Sequence, residues 1–183
     1  NPGIELIAHD VELRAHNVMQ ILAGYDIVLD GSDRVGTRYL VNDACVLLGR
    51  TLVSAAIHRF EGQATTCVPH AGPCYRCLFP EPAVGAAPTC AEAGVLGVLP
   101  GVLGAIQATE AIKLITGIGT PLIGRLLTYD ALAMRFDEFR FGRDTDCRVC
   151  SAYRDIHAPH DLEEFCAPAH APGSAVSPAE LRL

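Results

Sequence analysis

The sequence predicts an α/β fold, a mixed β-sheet with flanking helices held by a metal staple, and three observations predict it. Short apolar runs bounded by Gly, Asp and Pro alternate with stretches of helical periodicity, the pattern of parallel strands joined by crossover helices. Two strand-like runs near the end, 126–130 and 134–141, flank a tight turn and read as an antiparallel hairpin, which makes the sheet mixed. Two Cys-x-x-Cys pairs, Cys74 with Cys77 and Cys147 with Cys150, bring four thiolates at the spacing that closes a tetrahedral zinc shell without an outside ligand.

Residues 4–8 read as a strand and 11–22 as a helix with Val11, Val18, Ile21 and Leu22 inward, ended by Gly24. The apolar run 25–30 reads as a buried parallel strand, so the first thirty residues form a β-α-β unit with a right-handed crossover. A second helix follows the turn at 30–33 and runs to Leu48, with Leu40, Ala44, Leu47 and Leu48 toward the core and Gly49 as its stop. Strands are expected at 52–57 and 63–68, joined by a turn at Glu61 and Gly62. The Pro-, Gly- and Cys-rich stretch 69–88 reads as an irregular excursion whose order depends on the metal. Residues 100–115 form a helix with Pro100 in its first turn and Gly117 past its end. Its small, apolar composition calls for deep burial or a subunit interface. Beyond Cys150 the chain turns polar and proline-rich and reads as a linker, and residues 176–182 resemble the entry to another domain, with a cap serine followed by proline.

A chain of 183 residues that is half apolar buries a real core and is most simply one domain with a tail. The net charge of -7 is spread over mixed signs with no basic block, which excludes nucleic acid and anionic membrane surfaces as expected partners. The longest apolar stretch, 93–106, is broken by glycines and a proline and falls short of a bilayer span, so no membrane association is expected. Eight cysteines, half of them in metal-type pairs, fit a reducing compartment, and the expected location is cytoplasmic. The first residue is Asn1 rather than Met, so the chain is expected to be part of a longer or processed product.

A redox pair of the thioredoxin kind needs one Cys-x-x-Cys motif at a helix start; the presence of two favours structural zinc. Such a zinc staples the fold and performs no chemistry. The segment Asp30-Gly-Ser-Asp33 lies at the carboxyl end of a strand expected to be parallel, where open α/β sheets bind ligands. Two carboxylates there suit a magnesium ion that bridges carboxylate and phosphate; Asp33 serves equally well as a plain N-cap. Arg34, Arg38 and Asn42 share one helix face, directed either at that crevice or at solvent. Cys90, upstream of a helix, reads either as a nucleophile with a lowered pKa or as a small buried residue. Cys45, Cys67 and Cys166 have no partner at metal spacing and read as structural, and His157 and His160 as solvated.

Several strings stand together in an order and spacing that resemble the ThiF/MoeB/HesA family: Asp30-Gly-Ser-Asp33 with Thr37-Arg-Tyr-Leu-Val-Asn-Asp43, the two cysteine pairs, Pro88-Thr-Cys-Ala-Glu-Ala-Gly-Val-Leu-Gly97, and Gln107-Ala-Thr-Glu-Ala-Ile-Lys113. The resemblance covers residues 1–152, which it marks as the C-terminal part of the adenylyltransferase domain, and leaves 153–183 as a linker into a truncated rhodanese-like domain that begins near Ser177. It implies the Rossmann-like, ubiquitin-activating type of fold and an enzyme that uses ATP and Mg2+ to adenylylate the C-terminal glycine of a ubiquitin-like sulfur-carrier protein. Sulfur transfer of the kind used in molybdenum cofactor biosynthesis follows.

By the same resemblance Asp33 supports magnesium and ATP, Arg38 and Asn42 line the nucleotide crevice, and Cys90 carries the acyl or sulfur link. Cys74, Cys77, Cys147 and Cys150 hold zinc, and the protein is a homodimer. Two departures stand out. Arg34 replaces the family's usual asparagine, and the Gly-rich ATP loop and phosphate-binding basic residues of the family lie before the point that matches Asn1. The chain by itself is therefore expected to be inactive. The rival expectations are a non-catalytic dimerisation and carrier-docking module, and a zinc-bearing redox protein.

Overall fold

A computed structural model describes residues 1–82 and 94–162. Five strands form one mixed sheet in the spatial order of the sequence: β1 (Ile27–Asp30), β2 (Thr51–His58), β3 (Glu61–Cys67), β4 (Arg125–Asp130) and β5 (Arg135–Arg140). β1 and β2 run parallel, with Asp30 opposite Ser54, and the other three pairings are antiparallel. The helices are α1 (Val18–Leu22), α2 (Val35–Leu48), α3 (Tyr75–Leu78) and α4 (Leu99–Thr116).

The parallel unit is β1-α2-β2, one element later than the sequence predicts. Residues 4–8 form no strand; Ile4, Leu6 and Ile7 are exposed. A strand needs a neighbour for its backbone donors and acceptors, and among the described residues none pairs with this segment. The expected helix 11–22 shrinks to its last turn because Asn17 organises the chain before it: its Oδ1 accepts from the Arg14 amide at 2.8 Å and its Nδ2 donates to the Glu12 carbonyl at 2.9 Å. Such side-chain to backbone bonds compete with helical ones. β1 is the sheet's edge strand rather than a buried one, with Leu29 exposed. The β2-β3 turn sits at Arg59 and Phe60, with Arg59 at φ 52°, and Glu61 and Gly62 already belong to β3.

α2 stops where expected. Gly49 adopts φ 67° and its amide closes on Cys45 and Val46, the left-handed cap that glycine takes at least cost. α4 likewise starts with Pro100 in its first turn and ends on Gly117 at φ 69°.

Because side chains alternate across a strand, β2 and β3 feed two cores. On one face Leu52 and Cys67 join Val18, Tyr39, Leu40 and Ala44 beneath α2; on the other Ala55 and Ala64 meet Leu99 and Leu103 of α4. Glu110 locks α4 from within. It is 2% exposed, and its Oε2 accepts from Thr66 Oγ1 at 2.8 Å and from the Leu122 amide at 2.6 Å while Oε1 pairs with Lys113.

Gly62 is where α4 lies closest to the sheet: a Cβ there would meet Leu103 Cδ2 at 2.4 Å. Gly62→Ala is expected to cost about 1–3 kcal/mol in urea unfolding through overpacking. A loss below about 0.5 kcal/mol would mean that Leu103 simply rotates aside.

The expectation of deep burial fails for most of α4, in which only Leu99, Leu103, Gln107 and Glu110 are buried. Ile112 and Ile115, with Ile118 just beyond, are exposed, as are Leu132, Met134, Phe136 and Phe139 around the β4-β5 hairpin. Packing also continues past Cys150: Ile156 is buried beside the cysteines, Asp161 accepts a hydrogen bond from the Ala15 amide at 2.9 Å, and Leu162 packs under α2.

Candidate functional site

The four paired cysteines converge. α3 brings Cys74 and Cys77 together across one turn, and the segment after β5 brings Cys147 and Cys150 to the same place. Sulfur to sulfur distances are 3.8 Å within the first pair, 3.6 Å from Cys74 to Cys147 and 3.4 Å from Cys77 to Cys150, and all four atoms lie within 4.8 Å of one another. A tetrahedral zinc with bonds of about 2.3 Å spaces its sulfurs by about 3.8 Å, whereas a disulfide needs about 2.05 Å. The cluster is therefore close enough to hold one metal ion, and its all-sulfur donor set suits zinc.

Crowding splits the four thiols. Cys147 falls to about 6 through hydrogen bonds first from Cys150 and then from Cys74, and Cys77 falls through Cys147. Cys74 and Cys150 rise, each chiefly through Cys147. Four thiolates at this spacing require a cation. Cys45 and Cys67, by contrast, are pushed up to about 12 by burial, which leaves them inert packing residues.

A polar network fixes this knuckle to α2. Asp43 and Arg76 form a two-pronged ion pair, Nε to Oδ1 at 2.7 Å and Nη2 to Oδ2 at 2.8 Å, and Arg76 also caps the Pro80 carbonyl and lies over the Tyr39 ring. Asn42 sits beside it, fully buried. Its Oδ1 accepts from the Tyr75 amide at 2.9 Å and its Nδ2 donates to Asp43 at 3.0 Å. Asn42, expected from the resemblance to line the nucleotide crevice, satisfies its amide inside the protein by tying Tyr75 and Asp43 together beside the cysteines.

The crevice expected for the nucleotide belongs, by that reading, at the carboxyl end of β1, where the turn 30–33 leaves the sheet. Gln107 of α4 reaches through to donate to the Asp30 carbonyl at 2.8 Å and the Val53 carbonyl at 3.1 Å, tying the end of β1 to the neighbouring stretch of β2. Asp30 is 5% exposed; its Oδ1 accepts from the Ser32 amide at 2.9 Å. Asp33 is exposed at the mouth and does not cap α2, whose N-cap is Arg34 without a side-chain bond. Arg38 is half-buried and donates from Nε to the Ser32 carbonyl at 3.3 Å, which brings it to the loop that carries Asp33. Arg34 turns the other way, toward Glu12 at 3.0 Å. The three positions that share a face by spacing thus serve three different purposes. Ser54, opposite Asp30, also lines a small pocket with Ala56, Gln63, Tyr75 and Phe79.

Cys90 lies outside the described residues. The sequence reading missed Asp43 with Arg76, Gln107 and Glu110 as organising groups. Polar residues embedded in apolar helical runs, as at Leu40-Val-Asn-Asp-Ala44, are the signal that could have found them.

Comparison with known proteins agrees with this geometry. Residues 1–149 match the ThiF family. The chain is 49% identical over 172 residues to the sulfur carrier protein adenylyltransferase of Thermus thermophilus, covering 91% of this chain and 64% of that protein. It is 52% identical over 173 residues to the SAMP-activating enzyme E1 of Haloferax volcanii, covering 91% and 62%. It is 45% identical over 168 residues to the adenylyltransferase and sulfurtransferase MOCS3 of Xenopus laevis, covering 91% and 37%. It therefore spans less than two thirds of the length of these relatives. Among solved structures, E. coli MccB with AMPCPP and its MccA peptide superposes with a TM-score of 0.64 at 19% identity, over 79% of this chain and 44% of that one. MccB with ATP gives 0.63 at 18%, over 79% and 45%. At that identity the likeness concerns the fold alone.

Proposed function

The chain belongs to the ThiF family, and from that membership we propose that the protein uses ATP to adenylylate the C-terminal glycine of a ubiquitin-like sulfur-carrier protein, with sulfur transfer to follow. The observation that carries the reading is the carboxylate-bearing turn at 30–33, set at the carboxyl end of β1 in the parallel pair and framed by Arg38 and Gln107. The name of the relative in Thermus thermophilus supports the substrate class.

In this reading the carrier's terminal carboxylate attacks the α-phosphorus of ATP, the bond to the pyrophosphate leaving group breaks, and an acyl adenylate forms. Asp33 supports the magnesium that accompanies the phosphates, and Arg38 lies close enough to face their charge. A sulfur nucleophile, with Cys90 as the candidate, then attacks the acyl carbon and AMP departs with the bonding electrons.

The cysteine cluster holds structural zinc and takes no part in the steps. The exposed apolar side chains of α4 and the β4-β5 hairpin offer surface for a second copy and for the carrier. Among the described residues no helix is long and apolar enough to cross a membrane, and metal-binding thiolates favour the reducing cytoplasm.

ATP-pyrophosphate exchange with the full-length protein and its carrier tests this. Asp33→Ala is expected to lower exchange by about 100-fold or more, while Cys90→Ala leaves exchange intact and impairs sulfur transfer. Equal loss in both variants would count against separate roles, and a wild-type protein that exchanges nothing would turn the reading toward a docking module.

A further inference from the structure

The cysteine cluster borders a cleft whose charges are one-sided. Cys74 and Cys150 form part of its wall together with Arg50, Arg143, Arg154 and His70, and no Asp or Glu stands among the described residues that line it. The chain as a whole carries a net charge of -7, so a wall of the opposite sign calls for a local cause. Five arginines lie within the cysteine pairs or on the cleft wall. Three of them are engaged by carboxylates: Arg50 by Asp26 at 3.2 Å, Arg76 by Asp43 at 2.7 Å, and Arg148 by Asp155 and Glu81, each at 2.8 Å. Arg143 and Arg154 meet no carboxylate among the described residues. Arg143 instead donates from Nη2 to the Cys150 carbonyl, which holds its guanidinium beside a member of the cluster.

We infer that Arg143 and Arg154 are the outer cations of the metal centre and raise its affinity for zinc. The inference rests on the zinc reading of the cluster and is independent of the adenylylation reading. Zinc held by four thiolates is a dianion, and a half-buried negative centre is stabilised by cations close by. The two arginines without a carboxylate partner supply that countercharge, and the three engaged ones cannot, because each already faces a carboxylate of its own. The metal touches only the cysteines, so Arg143 and Arg154 are positioning residues that act through them. Both side chains are exposed, which keeps their effect modest and makes it sensitive to salt.

The test is the double variant Arg143→Ala with Arg154→Ala in the full-length protein, its zinc affinity measured by competition with a chelator at low salt and in about 1 M KCl. At low salt the variant is expected to bind zinc about tenfold more weakly than the wild type, and at high salt the gap should close to about twofold. Arg143→Lys with Arg154→Lys keeps both charges and should stay within about twofold of the wild type; Arg143→Gln with Arg154→Gln keeps hydrogen-bonding groups without charge and should lose as much as the alanine pair.

Wild-type affinity in the alanine or glutamine pair at low salt would overturn the inference, and so would a loss that high salt leaves untouched, which would mark a packing role. Stabilisation of the wild type by inorganic phosphate, with zinc affinity unchanged in the alanine pair, would overturn it in favour of an anion site in the cleft. Arg154→Ala alone removes an exposed side chain and keeps the inference testable should the double variant not fold: about threefold weaker zinc binding is expected, and none would exclude Arg154. A wild-type protein that binds no zinc fails the zinc reading first and on its own.

Discussion

Stripping the metal from Cys74, Cys77, Cys147 and Cys150 is expected to unfold the protein rather than merely soften it. The cluster joins α3 to a segment 73 positions later in the chain, and around it pack Val149, Ile156, Val46 and Leu47, so the link reaches α2 as well. Structural zinc contributes on the order of 10–16 kcal/mol in small zinc-folded peptides, against a total domain stability of about 5–15 kcal/mol. Metal analysis of freshly reduced protein should find one zinc per chain, and a chelator titration followed by circular dichroism should show a cooperative loss of structure. Cys147→Ser is expected to reproduce it. Reduced, folded protein that contains no zinc would sink the prediction, and full retention of structure in excess chelator would reduce the metal to an ornament of the surface.

Arg76→Ala is expected to have the second largest effect, a loss of about 3–5 kcal/mol, because it leaves the Asp43 carboxylate buried and uncompensated. The two side chains are 5% and 2% exposed, and the pair links α2 to α3. For a chain of this size the loss corresponds to a fall in Tm of roughly 10 °C. Arg76→Lys should recover little of it, since a single ammonium cannot reproduce the two-pronged contact or the stacking on Tyr39. Replacing both partners by apolar residues of similar volume, Asp43→Leu with Arg76→Met, should cost far less than either alanine substitution alone. A single-substitution cost below about 1 kcal/mol would show that water reaches the pair and screens it.

The parts of the fold legible in the sequence are those whose signal is local. α2 and α4 declare themselves by apolar spacing and by Gly49 and Gly117 at their ends; the β4-β5 hairpin declares itself by two apolar runs around a turn. The metal cluster is legible for a similar reason, since each half of it is a one-turn motif. The strand expected at 4–8 fails because alternation says only that a segment could pair, and pairing needs a neighbour. The helix expected from Val11 fails because Asn17, a single side chain, rearranges the turn before it. The candidate site divides along the same line. Asp33 is exposed and Arg38 bonds the Ser32 carbonyl of the same turn, but Asn42, one turn further along the helix, turns inward to Tyr75.

The sequence by itself determined the α/β class, the family, the two cysteine pairs that cluster and the turn at 30–33, because each is written in residues a few positions apart or in strings that occur together. Only the tertiary structure decided that Asp43 meets Arg76, that Gln107 ties the end of β1 to β2, that Glu110 locks α4 and that one oxygen of Asp30 is left without a partner. These are contacts between distant segments, and whether a polar side chain is exposed, satisfied or orphaned depends on what the rest of the chain packs around it, which no local pattern records.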